Sequence, residues 1–116
     1  MKFEALVVIT SAENESVVKE MAKEAGAEGA TIIEAKGSGV EEKKSFFSLT
    51  FEGNRSVLLF VLENGLSRKV LRTLKPYFEN PDNDGLAFTA PIDHIVGLER
   101  ALLSKFESNI EQEERL

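Results

Sequence analysis

The sequence predicts an α+β domain in which a ferredoxin-like βαββαβ unit is followed by a C-terminal helix. Two apolar runs, Phe3–Thr10 and Ser56–Leu62, have the length of strands and do not alternate as strands with one wet face do. Three other segments repeat apolar residues every three or four positions, as amphipathic helices do, and they centre on Val18, Val70 and Leu102. A chain of 116 residues fits one such domain.

The other predicted strands are shorter. Thr31–Lys36 is the second strand, and Leu86–Ala90 is the last, interrupted or ended by Pro91. Ser45–Phe51 alternates in polarity and is followed by turn residues, so the sequence from Ser45 to Leu62 predicts a hairpin. The charged stretch between the second strand and this hairpin is expected to be a solvated loop.

Capping residues set the expected helix bounds. The first helix is predicted to be capped by Ser11 or Asn14 and to end at Gly26, where a left-handed cap is cheapest for glycine. The second is predicted to be capped by Asn64 or Ser67. Pro76 is expected to end or kink it. The third helix takes its apolar stripe from Leu98, Leu102, Leu103, Phe106 and Ile110, and the charged residues 111–116 form a tail.

The uniformly apolar strands carry a further implication. Two helices cover only one face of a four-stranded sheet, so Leu6–Ile9 and Val57–Leu62 are expected to have their second face buried as well. Either the C-terminal helix or other subunits could cover that face.

Composition narrows the classes of partner. The net charge of −6 disfavours nucleic acid, because phosphate binding needs a basic surface. The sequence has no cysteine, and hence no disulfide or thiolate site. The apolar runs are short compared with a membrane span, and the N-terminus lacks the pattern of a signal peptide, so a cytoplasmic protein is expected.

One glycine-rich stretch combines structural and chemical signals. The sequence from Ala25 to Gly39 reads as a helix end, a short strand and a glycine loop around Ser38. Successive backbone N–H groups in such a loop can bind an anion without a side chain. The segment therefore places a possible phosphate site directly after a strand.

This stretch resembles the PII nitrogen-regulatory family, whose members carry a similar Lys-Gly-x-Gly segment leading into a signalling loop, the T-loop. A second match lies at Asp84–Phe88 and continues through Ile92–Leu98. The resemblance covers roughly residues 1–100 and implies a PII-like domain over 1–98, with the helix and charged tail over 99–116.

The resemblance also implies a site and partners. It implies a homotrimer that binds an adenine nucleotide (AMP, ADP, ATP or a cyclic nucleotide) between subunits and regulates a target protein through the T-loop region. Such a target is often a membrane transporter or a metabolic enzyme. The ligand-binding positions it implies are Thr31, Gly37, Ser38, Gly39, Asn83, Asp84 and Gly85.

Some positions depart from the family pattern. Basic residues that bind nucleotide in other members are replaced by Leu86, Gly97 and Glu99. The T-loop region has no tyrosine, since the only one in the chain is Tyr77, so control by uridylylation is unsupported.

No pattern points to catalysis, and we expect a protein that is not an enzyme. His94 is the only histidine, which makes a metal site improbable unless three copies meet on an axis. Because a fold does not fix a function, an enzyme on this scaffold stays open, and the main alternative is a trimeric metal-binding protein similar to the divalent-ion-tolerance family.

Overall fold

The computed structural model describes residues 1–35, 44–46, 49–51 and 54–98. A single 3-10 turn, Ala12–Asn14, precedes the first helix. The strands and helices are β1 (Phe3–Ser11), α1 (Glu15–Glu24), β2 (Thr31–Ala35), β3 (Lys44–Phe46), β4 (Leu49–Phe51), β5 (Arg55–Glu63), α2 (Asn64–Glu79) and β6 (Gly85–Ile92).

The main sheet has four antiparallel strands in the order β2-β5-β1-β6. Together with the two helices, this order is that of a ferredoxin-like sandwich and confirms the predicted fold class. The predicted C-terminal helix and tail, residues 99–116, lie outside the described residues, as do residues 40–43 of the charged loop predicted over Val40–Lys44. Lys44 itself begins β3 and is not part of a loop.

The predicted hairpin from Ser45 to Leu62 is wrong. β5 pairs with β2 and β1, whereas β3 and β4 pair only with each other, with Ser45 opposite Thr50. Alternation of polarity shows that a segment is extended but does not identify its partner strand. The stretch that resembles a T-loop thus contains a small two-stranded ribbon separate from the main sheet.

The hydrophobic core lies between the sheet and the two helices. Leu6, Val8, Leu58 and Phe60 point from the two central strands towards the helices, and each is at most 1% exposed. Their partners from α1 and α2 are also fully or almost fully buried, and they are Val18, Ala22, Leu66, Val70 and Leu74. This alternation in β5 shows that its second face is not covered by the helices.

The end of α1 was predicted correctly. Gly26 has a φ of +116°, and the amides of Gly26 and Ala27 donate to the carbonyls of Lys23 and Ala22, both at 2.9 Å. This is the Schellman arrangement that glycine favours. Asn14 occupies the N-cap position of α1, as predicted, but neither Ser11 nor Asn14 makes a capping hydrogen bond through its side chain.

The predictions for α2 need two corrections. Glu63 is its cap, and its carboxylate accepts hydrogen bonds from the amides of Gly65 at 2.8 Å and Leu66 at 3.2 Å. Neither Asn64 nor Ser67 has this role, because both lie within the helix. Pro76 does not end the helix, which continues to Glu79, so of its two predicted effects only a kink stays a prediction.

Pro91 is accommodated within β6, which continues to Ile92. β6 is an edge strand and is hydrogen-bonded to β1 alone. Proline, which has no N–H to donate, is therefore tolerated here more easily than in a strand with a partner on each side.

The face of the sheet opposite the helices is apolar and partly open. Strand register places Val7, Leu59 and Phe88 side by side on this face, with Val61 and Ile33 nearby. Val61 is 37% exposed and Ile33 52% exposed. The described residues thus leave this face incompletely covered, and a second covering layer remains a prediction.

Candidate functional site

The residues implied as ligand-binding fall into two groups at opposite edges of the sheet. Thr31 begins β2 at one edge, and Asn83, Asp84 and Gly85 precede or begin β6 at the other. Three steps between neighbouring strands, each about 4.8 Å, put the two edges about 14 Å apart. A single chain therefore does not bring the two groups together.

β2 nevertheless ends at the same end of the sheet as the loop before β6, although Thr31 itself lies part-way along the sheet, opposite Leu59. Ala35, the last residue of β2, pairs with Arg55, which pairs with Ser11. Gly85 pairs with Thr10, the neighbour of Ser11 in β1. The chain that follows Ala35 therefore leaves the sheet at the end where the loop before Gly85 lies.

Gly37, Ser38 and Gly39 follow that point in sequence and lie outside the described residues. Their assignment to a phosphate site stays a prediction. Thr31 is exposed and lies opposite Leu59, on the open face of the sheet.

The loop between α2 and β6 is held by its own side chains. Asn80 accepts a hydrogen bond from the amide of Asp82 at 3.0 Å through its side chain, and one from the amide of Asn83 at 3.0 Å through its carbonyl. The Asn83 side chain donates to the carbonyl of Tyr77 at 2.9 Å. The amide of Asn83 is thus committed to the loop, and its side chain is tied back to α2.

Gly85 has a structural reason to be glycine. A Cβ at this position would lie 2.5 Å from the carbonyl oxygen of Ile9 and 2.6 Å from the ring of Phe78, and its φ is +152°. Packing between β6, β1 and α2 therefore excludes a side chain here, whether or not a ligand binds. The Asp-Gly pair is weaker evidence for a ligand than the sequence indicated.

A buried hydroxyl fastens this loop to the central strand. Thr10 is fully buried and donates from Oγ1 to the carbonyl of Asp84 at 2.7 Å, and it accepts from Nδ2 of Asn14 at 3.3 Å. On the next strand, the hydroxyl of buried Ser56 donates to Oε1 of Glu15 at 2.6 Å. Both contacts lie at the end of the sheet where β2 ends and β6 begins.

Sequence reasoning missed these supporting residues. The sequence predicts Thr10 and Ser56 as strand residues only. A signal was present, because Thr10 and Ser56 are polar residues at the ends of apolar runs. A polar residue in that position needs a partner when it is buried.

The charges at this end of the sheet are mostly negative. Asp82 and Asp84 are exposed in the loop, and Glu34 is exposed near the end of β2. Arg55, which is half-buried, is the cation that the described strands place among them. The described part of the site therefore disfavours a highly charged anion more than a weakly charged one.

Within the described residues, no cluster of three or more histidine, cysteine or acidic side chains could hold a metal ion. His94 is exposed in the segment after β6. No helix of the described ranges is long and apolar enough to cross a membrane.

The comparisons with known proteins define the class. The model of the nitrogen regulatory protein P-II family matches residues 3–101, so the chain belongs to this family of signalling proteins. The matched segment includes the glycine stretch, the T-loop region and the Asp-Gly loop. No curated protein matches the chain in a separate search.

Solved structures share the fold at low sequence identity. CPII, a nitrogen regulatory PII-like protein from Thiomonas intermedia K12, was solved bound to ADP, AMP and acetate. It has 21% identity and a TM-score of 0.63 over 90% of this chain and 94% of that chain.

A second structure of CPII, bound to ADP, AMP and bicarbonate, has 17% identity and a TM-score of 0.62 over 84% of this chain and 98% of its own. A candidate PII-like signalling protein from Thermus thermophilus has 20% identity and a TM-score of 0.60 over 79% of this chain and 87% of its own. These likenesses confirm the fold.

Proposed function

We propose that this PII-like protein assembles as a homotrimer and binds an adenine nucleotide in the clefts between its subunits. Nucleotide binding then changes the conformations open to the T-loop region, which regulates a target protein. The mechanism is a population shift and needs no catalysis. We assign the protein to the cytoplasm, with a membrane transporter or a metabolic enzyme as the class of target.

The placement of the two ligand groups is the observation that carries this proposal. Thr31 lies part-way along one edge of the sheet and Asn83–Gly85 lie at the other edge, and β2 ends at the same end of the sheet as Asn83–Gly85. A neighbouring subunit whose β6 edge approaches the β2 edge of the first would complete the site. The open apolar face supports the same arrangement, because sheets that face each other would bury Val61 and Ile33.

Adenine nucleotide is the effector class that the comparisons favour. CPII shares the fold and was solved with ADP and AMP. In this chain, the T-loop base would contribute Gly37, Ser38 and Gly39 as backbone donors to phosphate. Thr31 would lie near the adenine ring of the nucleotide, and Asn83–Gly85 would approach from the neighbouring subunit.

The charge of the site should set which nucleotide binds best. Leu86 and Gly97 replace basic residues of the family pattern, and Asp82 and Asp84 add negative charge nearby. Each lost charge-assisted hydrogen bond removes about 1.5–3 kcal/mol. We therefore expect AMP, ADP or a cyclic nucleotide to compete well with ATP.

Isothermal titration calorimetry with AMP, ADP, cyclic AMP and ATP tests this function. We expect ATP to bind no more tightly than AMP or ADP, and Gly37→Val to abolish binding while the assembly stays intact. Submicromolar ATP with weak AMP would contradict the charge argument. Binding of divalent cations with no response to any adenine nucleotide would favour the divalent-ion alternative.

A further inference from the structure

A groove of about 470 Å³ runs along the outer side of α2, next to the first residues of β6. Its apolar lining comes from Leu71, Leu74, Phe78 and Ala87 between α2 and the sheet, with Leu86 at its border on the edge strand. Leu74 is fully buried and the other four are partly exposed. The groove contains none of the ligand-binding positions implied in this chain, but it includes Leu86, which replaces a basic nucleotide-binding residue of the family pattern.

The rim of this groove is positively charged. Arg68, Arg72 and Lys75 lie along one side of α2, and all three are exposed. Glu79 is the acidic residue of the rim, and it pairs with Lys75 at 3.8 Å. α2 is thus a basic element in a chain whose net charge is −6.

The apolar pattern of the sequence after Leu98 fits the floor of this groove. Its apolar residues recur at helical spacing. Residues 99–110 carry two glutamates and two basic residues, and three more glutamates follow in residues 111–114. The apolar residues are Leu102, Leu103, Phe106 and Ile110, and the glutamates are Glu99, Glu107, Glu111, Glu113 and Glu114.

The length of this segment also fits. β6 ends at Ile92, and Gly97 has a φ of +93°, which allows the chain to reverse before Leu98. The groove meets β6 at Leu86, six residues before Ile92 and hence about 20 Å along the strand. A helix over residues 99–110 would be about 18 Å long.

We propose that residues 99–110 of the same chain form a helix that lies in this groove and runs antiparallel to β6. Phe106 and Leu102 contact the apolar floor, and Glu107 lies near Arg68 and Arg72. The helix therefore extends the helical layer to the edge of the sheet instead of covering the open face.

A tryptophan reporter tests the docking, because the sequence contains no tryptophan. In Phe106→Trp, we expect blue-shifted emission and quenching by acrylamide several-fold weaker than for free tryptophan. Reversing two exposed charges of the rim, in Arg68→Glu with Arg72→Glu, should shift emission to the red and restore quenching. The matched control reverses two exposed charges of α1, four residues apart in the same way, with Lys19→Glu and Lys23→Glu, and it should leave the reporter unchanged.

Two outcomes of this experiment would overturn the proposal. One is a reporter that acrylamide quenches freely in the parent. The other is a protected reporter that responds equally to the α1 and α2 charge reversals, which would place the segment elsewhere, for example on the open face. Circular dichroism of each variant shows whether the fold is retained, and the rim variants alter only exposed side chains.

A cross-link identifies the chain that supplies the helix, because the protein has no cysteine of its own. With Arg72→Cys and Ser108→Cys, a short bismaleimide should give a cross-linked single chain on a denaturing gel. Covalent dimers or trimers as the main product would overturn docking within the same chain.

Discussion

Gly85 shows how a single residue can carry two different explanations. The sequence places it in an Asp-Gly loop that implies a ligand, whereas its missing side chain is explained by contacts with Ile9 and Phe78. A variant at this position therefore tests packing before it tests binding. Ligand binding is better tested at Gly37 or Thr31.

Gly85→Ala should destabilise the fold. The added Cβ would lie 2.5 Å from a backbone oxygen, and overpacking of this kind costs about 1–3 kcal/mol. Urea denaturation measures the loss. Gly29→Ala is the matched control, because Gly29 also has a positive φ, +78°, but open space around it. Equal losses in the two variants would show that contact with Ile9 and Phe78 is unimportant.

Thr10→Val should loosen the loop before β6. The change keeps the shape of the side chain but removes the hydroxyl that donates to the Asp84 carbonyl, and a hydrogen bond of this kind contributes about 0.5–1.5 kcal/mol. We expect faster hydrogen exchange at residues 82–84, measured by mass spectrometry. Thr10→Ser keeps the hydroxyl and should retain more of the protection. Unchanged exchange in Thr10→Val would show that the loop is held without this bond.

At the scale of elements, periodicity predicted where strands and helices lie but not how they are joined. The apolar runs located β1 and β5, and Gly26 marked the end of α1 with the positive φ expected. The prediction that the strands within Ser45–Leu62 pair as a hairpin was wrong, because alternation of polarity is a local signal and does not identify the partner strand. The predicted cap of α2 was wrong, because the long side chain of Glu63 accepts hydrogen bonds from the first amides of the helix, the role expected of Asn64.

The site was harder to predict for the same reason. The hydroxyl of Thr10 and the carbonyl of Asp84 are 74 residues apart in sequence, and no local pattern indicates that they meet. The resemblance identified positions that belong together in a family, but it could not reveal that Gly85 is needed for packing. Only the strand order shows that the two ligand groups occupy opposite edges.

Glu63→Ala should weaken α2. The change removes both hydrogen bonds to the first helical turn, and loss of such a cap costs about 0.5–2 kcal/mol. Thermal unfolding followed by circular dichroism measures the effect. Glu79→Ala removes an acidic residue at the other end of α2, where only an exposed ion pair is lost, and should change stability little. A smaller loss for Glu63→Ala than for Glu79→Ala would contradict the capping role.

At the scale of the whole molecule, the open apolar face of the sheet favours association with other subunits. Sequence and structure agree that this face is apolar, and the described residues leave Ile33 and Val61 partly exposed. Apolar side chains exposed together on one face of a sheet favour association with another protein surface. Assembly is therefore the property on which a shared ligand site depends.

Leu59→Glu and Val61→Glu should each disrupt the proposed trimer. Both residues lie on the open face, and a charge buried between subunits without a partner is costly. Light scattering at micromolar concentration measures the mass. Val17→Glu introduces the same charge at an apolar residue of α1 that is 47% exposed, and should leave the trimer intact. A parent protein that is a stable monomer would contradict assembly through this face.

The most direct test of a site shared between subunits is calorimetric titration of ADP into the parent and into Val61→Glu. Val61 is the better choice here, because Leu59 lies opposite Thr31 and could alter the site itself. The account predicts that the parent binds ADP and that the dissociated variant, although folded by circular dichroism, does not. A folded monomer that binds ADP as tightly as the parent, or a trimeric parent that binds no adenine nucleotide, would contradict it.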